Sequence, residues 1–137
     1  MKVAGLGFRA AATVADLRAA LALTGHEVEA LASVAEKANS PAMQELAQEM
    51  GVPVIALAEQ DIAGERTLSC SPRIKARFGT GSLAEAAALA GLRHSQKHSQ
   101  KHSQKHGQRG GICRLLAPRV VTADGLATAA IAERLEP

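Results

Sequence analysis

The sequence predicts an α/β fold: a mixed sheet of about five strands with helices packed on it, the first half a parallel β-α-β-α-β run and the end an antiparallel hairpin. Three observations predict it. Short apolar runs alternate with helix-capping residues as far as Leu57, glycines fall where each helix should stop, and an Asp124-Gly125 turn separates two β-rich runs near the end.

Taken in order, Lys2 to Leu6 is an apolar strand that runs into Gly5-Leu-Gly7. Thr13-Val-Ala-Asp16 opens a helix whose Val14, Leu17, Leu21 and Leu23 form its apolar stripe, and Gly25 stops it. A second strand is expected over Val28 to Leu31, with Ser33-Val-Ala-Glu36 spaced as a capping box that turns the chain into a short helical segment. Ser40 then caps another helix with Pro41 at its first position, where the missing N–H costs nothing; Met43, Leu46, Ala47 and Met50 face inward and Gly51 terminates. Val52 to Leu57 is the third strand, and parallel crossovers follow from the order.

Ser71-Pro72 repeats the cap pattern for a helix reaching Phe78, and Ser82-Leu-Ala-Glu85 is a full capping box for an Ala-rich helix over Ala84 to Leu89 that Gly91 ends. Ile112 to Val121 and Leu126 to Ala132 are the two strands of the closing hairpin. At 137 residues with 47% apolar content, the chain is expected to form one domain over 1–137.

Between the Ala-rich helix and the hairpin, the tetrad His-Ser-Gln-Lys occurs three times from His94 to Lys105 and is closed by His106. The chain carries sixteen Lys and Arg against thirteen Asp and Glu, a formal net charge of +3. Five of the sixteen, Arg93, Lys97, Lys101, Lys105 and Arg109, lie in or beside this tract; without them eleven bases face thirteen acids, a net of about −2. The basic character is therefore local and does not make a nucleic-acid face. Phe8 and Phe78 are the only aromatic residues, so no stacking platform for single-stranded nucleic acid can be assembled either.

The segment 93–111 has no apolar face and ends in glycines, which reads as a low-complexity, disordered loop. If it were helical, His94, His98, His102 and His106 would stand at i, i+4 spacing and adjacent pairs could hold a divalent metal weakly; no dedicated metal site is expected. No signal peptide or membrane span is visible, so a cytoplasmic protein is expected, with Cys70 and Cys113 reduced and buried as small hydrophobes.

Chemistry is limited by what is absent. Gly5-Leu-Gly7-Phe-Arg9-Ala10 satisfies G-x-G-x-x-A after a strand, but the helix cap comes only at Thr13 and no acid ends the second strand, so no cofactor is expected. His26 follows a helix stop and reads as a turn residue, and no nucleophile–base pair is evident. What remains is a set of cations and caps at strand ends: Arg9, Lys37 and Arg119, with helix N-termini at Thr13, Ser33, Ser40 and Ser82. Each cation alone could be a solvated surface charge. Placed after successive strands of an open sheet, they converge on a crevice suited to carboxylates or phosphates.

Several segments resemble the CobE family, which is also the C-terminal domain of CbiG. They are Val3-Ala-Gly5-Leu-Gly7-Phe-Arg9, Leu31-Ala-Ser33-Val-Ala-Glu-Lys37 with Pro41, Leu46-Ala47 and Gly51-Val-Pro53, then Gly81-Ser-Leu-Ala-Glu85-Ala-Ala-Ala-Leu89, and Leu115-Leu-Ala-Pro-Arg119 before Thr128-Ala-Ala-Ile-Ala132. The resemblance covers nearly the whole chain outside the repeat and implies a role in making the corrin ring of cobalamin. CbiG opens a lactone on a cobalt-precorrin, and the role of the stand-alone CobE form, which this chain looks like, is less defined.

Phe8 stands where the family often has Cys, Asn39 and Ser40 where acids are frequent, and Arg119 where Lys is common. These departures favour binding, delivery or protection of a corrinoid or precorrin intermediate, with hydrolysis of a precorrin-5-type lactone as the alternative. The candidate substrate-binding residues are Gly7, Arg9, Ser33, Lys37, Ser82, Glu85 and Arg119, with no catalytic residue assigned. Other cobalamin-pathway enzymes and a second copy in a homodimer are the conceivable protein partners.

Overall fold

The computed structural model describes residues 1–62, 83–99 and 112–135. Among these residues, five strands form one mixed sheet: β1 (Lys2–Phe8), β2 (Ala30–Val34), β3 (Val54–Leu57), β4 (Ile112–Val121) and β5 (Ala127–Leu135), in the spatial order β3-β2-β1-β5-β4. β1, β2 and β3 are parallel neighbours, with Val3 beside Ala30 and Leu31 beside Val54. β5 returns antiparallel along β1, from Lys2 opposite Glu133 to Phe8 opposite Ala127, and β4 pairs antiparallel with β5. The expected mixed sheet with a parallel first half and a terminal hairpin is what the chain forms.

The helices among the described residues are α1 (Val14–Thr24), α2 (Ala35–Ala38), α3 (Pro41–Met50), α4 (Glu59–Ile62) and α5 (Leu83–Ser99). α1 begins on the expected Thr13, which forms a reciprocal capping box with Asp16, and ends at Gly25 in the left-handed region. α3 starts on Ser40 with Pro41 in its first turn and ends at Gly51. Leu17, Ala20 and Leu21 are the buried stripe of α1; Leu23, expected to join it, is 57% exposed. Two residues beyond Leu21 is about 200° around the helix, which points Leu23 to the opposite side.

Successive residues of β1 serve opposite layers, as a strand's alternation requires. Ala4 and Leu6 join Leu31, Ala129 and Ile131 against α1 and α3. Val3 joins Ala30, Ala32, Val34 and Ala132 against α5 and Ile62 of α4. α5 touches every strand, meeting β1 and β5 most extensively and β3 least. Such a crossing demands small residues on both sides of the contact. The helix supplies Ala84, Ala86, Ala87, Ala88, Ala90 and Gly91, and the sheet supplies glycine at Gly5 and Gly7.

Three expectations need correction. Gly91 does not end the Ala-rich helix: a Cβ there would lie 2.9 Å from Ala32 Cβ and 3.1 Å from Val3 Cγ1, so this glycine lets the helix lie on the sheet. The helix runs on to Ser99, so the repeat segment is helical over its first seven residues, 93–99, rather than a loop from Arg93, while 100–111 lie outside the described residues. Second, β2 runs over 30–34 rather than 28–31, because pairing Val3–Gly5 with Ala30–Ala32 buries the small residues of that stretch beneath α5. Third, Ser33 is therefore inside β2 and caps nothing: the N-cap position of α2 is Val34, which gives no side-chain cap, and the Ser33 hydroxyl donates to Leu6 O at 2.7 Å. The expected helix from Ser71 to Phe78, and Cys70, fall outside the described residues.

Candidate functional site

The carboxyl ends of β1 and β2, the start of β5 and the end of β4 lie at one edge of the sheet, and most of the expected site residues stand there. Gly7 pairs with Thr128, and Thr128 with Val121, so β1, β5 and β4 end in line. Arg9 follows β1 and is exposed. Its loop is latched to the hairpin by the Arg9 N–H, which donates to Leu126 O at 2.9 Å, and closed by the Ala12 N–H donating to Arg9 O at 3.0 Å.

Lys37, on α2 just after β2, reaches back to the end of β1. Its ammonium donates to Phe8 O at 2.5 Å and lies 5.1 Å from the centre of the Phe8 ring. One cation thus ties two neighbouring strand ends together while standing half-buried at the edge. Phe8 itself packs on the α1 and α3 layer. From β2, which precedes Lys37, to β4, which carries Arg119, is three strand spacings, about 14 Å.

Arg119 is half-buried in an irregular stretch of β4. Neither the Arg9 nor the Arg119 guanidinium pairs with a carboxylate among the described residues, where Arg18–Glu49 and Arg114–Glu133 are ion pairs. Glu85, in the first turn of α5, is 0% exposed, and its Oε2 accepts the Arg119 backbone N–H at 2.8 Å. Ser33 is also fully buried, behind the edge rather than on it. Ser82 lies outside the described residues.

Two elements of the expected anion crevice change. The N-termini of α1 and α3 are occupied by their own caps: Thr13 Oγ1 accepts the Asp16 N–H at 3.4 Å, and Ser40 Oγ accepts the Met43 N–H at 3.3 Å. α1 also carries the acid Asp16 in its first turn, which opposes an anion at that terminus. Of the groups expected to line an anion crevice, Arg9, Lys37 and Arg119 are the cations that stand at this edge. The glycine pattern is likewise no phosphate cradle, since the space in front of Gly5 is filled by the Ala84 carbonyl oxygen and the Ala88 backbone nitrogen.

Sequence reasoning missed Thr128. Its hydroxyl donates to Gly7 O at 3.1 Å, and it would sit 2.9 Å from a Cβ at Gly7. The signal was present, as Thr128 is the lone hydroxyl in the apolar run Ala127 to Ala132. Asp124, expected as a turn residue of the hairpin, closes that turn with a carboxylate that accepts from the Thr122 hydroxyl at 2.6 Å and the Leu126 N–H at 3.0 Å. These bonds hold its carboxyl below the ordinary aspartate range, the Thr122 bond contributing most.

At the far end of α5, His94 is half-buried beside Asp61, Leu57, Ala90 and Arg93, around a small cavity of about 90 Å³. His98 follows one turn later on the same helix; His102 and His106 lie outside the described residues. Among the described residues no three His, Cys, Asp or Glu are grouped to hold a metal ion, and no helix is long and apolar enough to cross a membrane.

Residues 2–132 match the family model described as cobalamin synthesis G C-terminus. The crystal structure of CobE, a protein from the cobalamin (vitamin B12) biosynthetic pathway, is similar at 30% identity and a TM-score of 0.77, over 98% of this chain and 93% of that one. Cobalamin biosynthesis protein chiG from Agrobacterium tumefaciens is similar at 27% identity and a TM-score of 0.61, over 99% of this chain and 100% of that one. No curated protein sequence matches. With nearly its whole length matched and its fold shared with both structures, the chain belongs to the CobE and CbiG C-terminal family of cobalamin biosynthesis.

Proposed function

We propose that this cobalamin-pathway protein binds a corrinoid or precorrin intermediate at the strand-end edge and holds or delivers it for another enzyme. The observation that carries the reading is the row of cations at that edge. Arg9 and Arg119 present guanidinium groups with no carboxylate partner among the described residues, and Lys37 stands beside Arg9 on the Phe8 carbonyl. Corrin precursors carry acetate and propionate groups around a rigid ring, so cations spread over about 14 Å can each meet a different carboxylate of one molecule. Such contacts are charge-assisted and favour Arg, whose fork matches a carboxylate with two parallel hydrogen bonds.

The test is co-elution. Purified protein is passed through a sizing column with cobyrinic acid, a coloured corrin bearing free side-chain carboxylates, and absorbance is followed in the protein fraction. Colour moving with the protein supports the proposal, and colour eluting only at the small-molecule volume refutes binding. If a lactone-bearing precorrin is instead recovered with the mass of one added water, the protein is a hydrolase and not a carrier.

A further inference from the structure

We propose that Glu85 is a positioning residue: its buried carboxylate holds the bulge of β4 that aims the Arg119 guanidinium at the binding edge. This deepens the function proposed above and rests on Arg119 meeting a carboxylate of the ligand. The first observation is in the register. Between Ala117, opposite Ile131, and Val120, opposite Ala129, β4 advances by three residues while β5 advances by two. One extra residue is therefore accommodated at Pro118-Arg119, which is a β-bulge, and a bulge redirects the side chain that it carries.

The second observation is how the bulge is satisfied. Pro118 has no N–H to give, and the Arg119 N–H, at a position with no register partner in β5, goes to Glu85 Oε2 at 2.8 Å. A carboxylate acceptor makes this bond shorter and stronger than a neutral one. The third is the setting. Glu85 is wholly buried and lies between Leu83, Ala84, Ala86 and Ala87, all of them buried too. A carboxylate in such a place costs free energy that a leucine or alanine would not, so its presence calls for a task that an apolar side chain cannot perform. Fixing the backbone from which Arg119 projects is such a task. Glu85 itself, with no exposed surface, does not touch a ligand in this arrangement.

A double-mutant cycle tests this, with cobyrinic acid as the probe, every variant first being checked for folding by circular dichroism. Glu85→Gln keeps an acceptor for the Arg119 N–H and is expected to bind within about threefold of wild type. Glu85→Ala removes the acceptor and is expected to lose about tenfold, roughly as much as Arg119→Ala. The double variant Glu85→Ala/Arg119→Ala should be no weaker than Arg119→Ala alone, whereas Glu85→Ala combined with Lys37→Ala should show both losses multiplied. A full further loss in the Arg119→Ala background overturns the proposal, since Glu85 would then act through something else.

If Glu85→Ala fails to fold, or if wild type does not bind the corrin, nuclear magnetic resonance of the free protein decides. The Arg119 amide proton should resonate well downfield in wild type, move upfield in Glu85→Gln and remain protected from exchange. A shift unchanged by Glu85→Gln overturns the positioning role, and does so independently of whether the corrinoid reading stands.

Discussion

Replacing Gly5 with alanine is expected to be among the most damaging single changes in the chain. The added Cβ would fall on the Ala84 carbonyl oxygen and the Ala88 backbone nitrogen, and 3.1 Å from the Ala84 carbonyl carbon, whereas ordinary contact begins near 3.4 Å. All three are backbone atoms of α5, so no side-chain rotation relieves the clash, and the helix must retreat by roughly an ångström. That retreat loosens the contacts of Ala84, Ala86, Ala87 and Ala88, all of them buried in the layer between α5 and the sheet. Overpacking usually costs about 1 to 3 kcal/mol, and a rigid partner places this case at about 3 kcal/mol or more.

For a domain of this size that corresponds to a fall of about 10 to 15 °C in Tm, measured by thermal denaturation followed by circular dichroism. Gly25→Ala is the control: Gly25 has φ +73° and nothing within 4 Å of a Cβ, so only the left-handed backbone penalty of about 1 kcal/mol applies. A Gly5→Ala protein melting within about 3 °C of wild type would refute the close crossing of α5 over β1. It would also reopen the dinucleotide cradle, in which that glycine serves a ligand and the fold is indifferent to it.

Three further outcomes are expected. Ser33→Ala should cost about 1 kcal/mol in urea denaturation through loss of the buried bond to Leu6 O; an unchanged midpoint would mean that the hydroxyl does not join β2 to β1. Thr13→Ala should cost about 1 kcal/mol by opening the capping box of α1, and Ser40→Ala a similar amount at α3, both measurable in the same assay. The Asp124 carboxyl is more acidic folded than unfolded, so its contribution is complete above the ordinary carboxylate range and is lost as pH falls below about 4. An acid titration of Tm should therefore be shallower in Asp124→Ala than in wild type, and parallel curves would contradict the assignment.

The elements whose ends are fixed by local chemistry were legible in the sequence. Thr13 with Asp16, Ser40 with Pro41, and glycines at 25, 51 and 125 act within one turn of where they stand, and each does what its residue type implies. β2 and α5 were misjudged at their ends because their limits are set across the sheet. Ala30–Val34 is poor in strand formers and becomes a strand by pairing with β1 under α5, and Gly91 carries the usual mark of a helix end while serving a contact with Ala32 and Val3.

The same holds for the site. Arg9, Lys37 and Arg119 could be placed from strand ends alone, because side chains that follow parallel strands share an edge. That Ser33 and Glu85 lie behind this edge, and that Thr128 bonds to Gly7, depends on pairings between elements 27, 34 and 121 residues apart in sequence, which local pattern does not carry.

The central claim, a corrinoid held by cations at the strand-end edge, is tested most directly by titrating cobyrinic acid into wild type and into Arg9→Ala, Lys37→Ala and Arg119→Ala at two salt concentrations. Each variant should remain folded and lose about 1 to 3 kcal/mol of binding, roughly five- to hundred-fold in Kd. Wild-type affinity should also fall as salt rises, because exposed cations meeting carboxylates are screened. Equal and salt-independent affinities in all four proteins would contradict the account and move the binding site elsewhere.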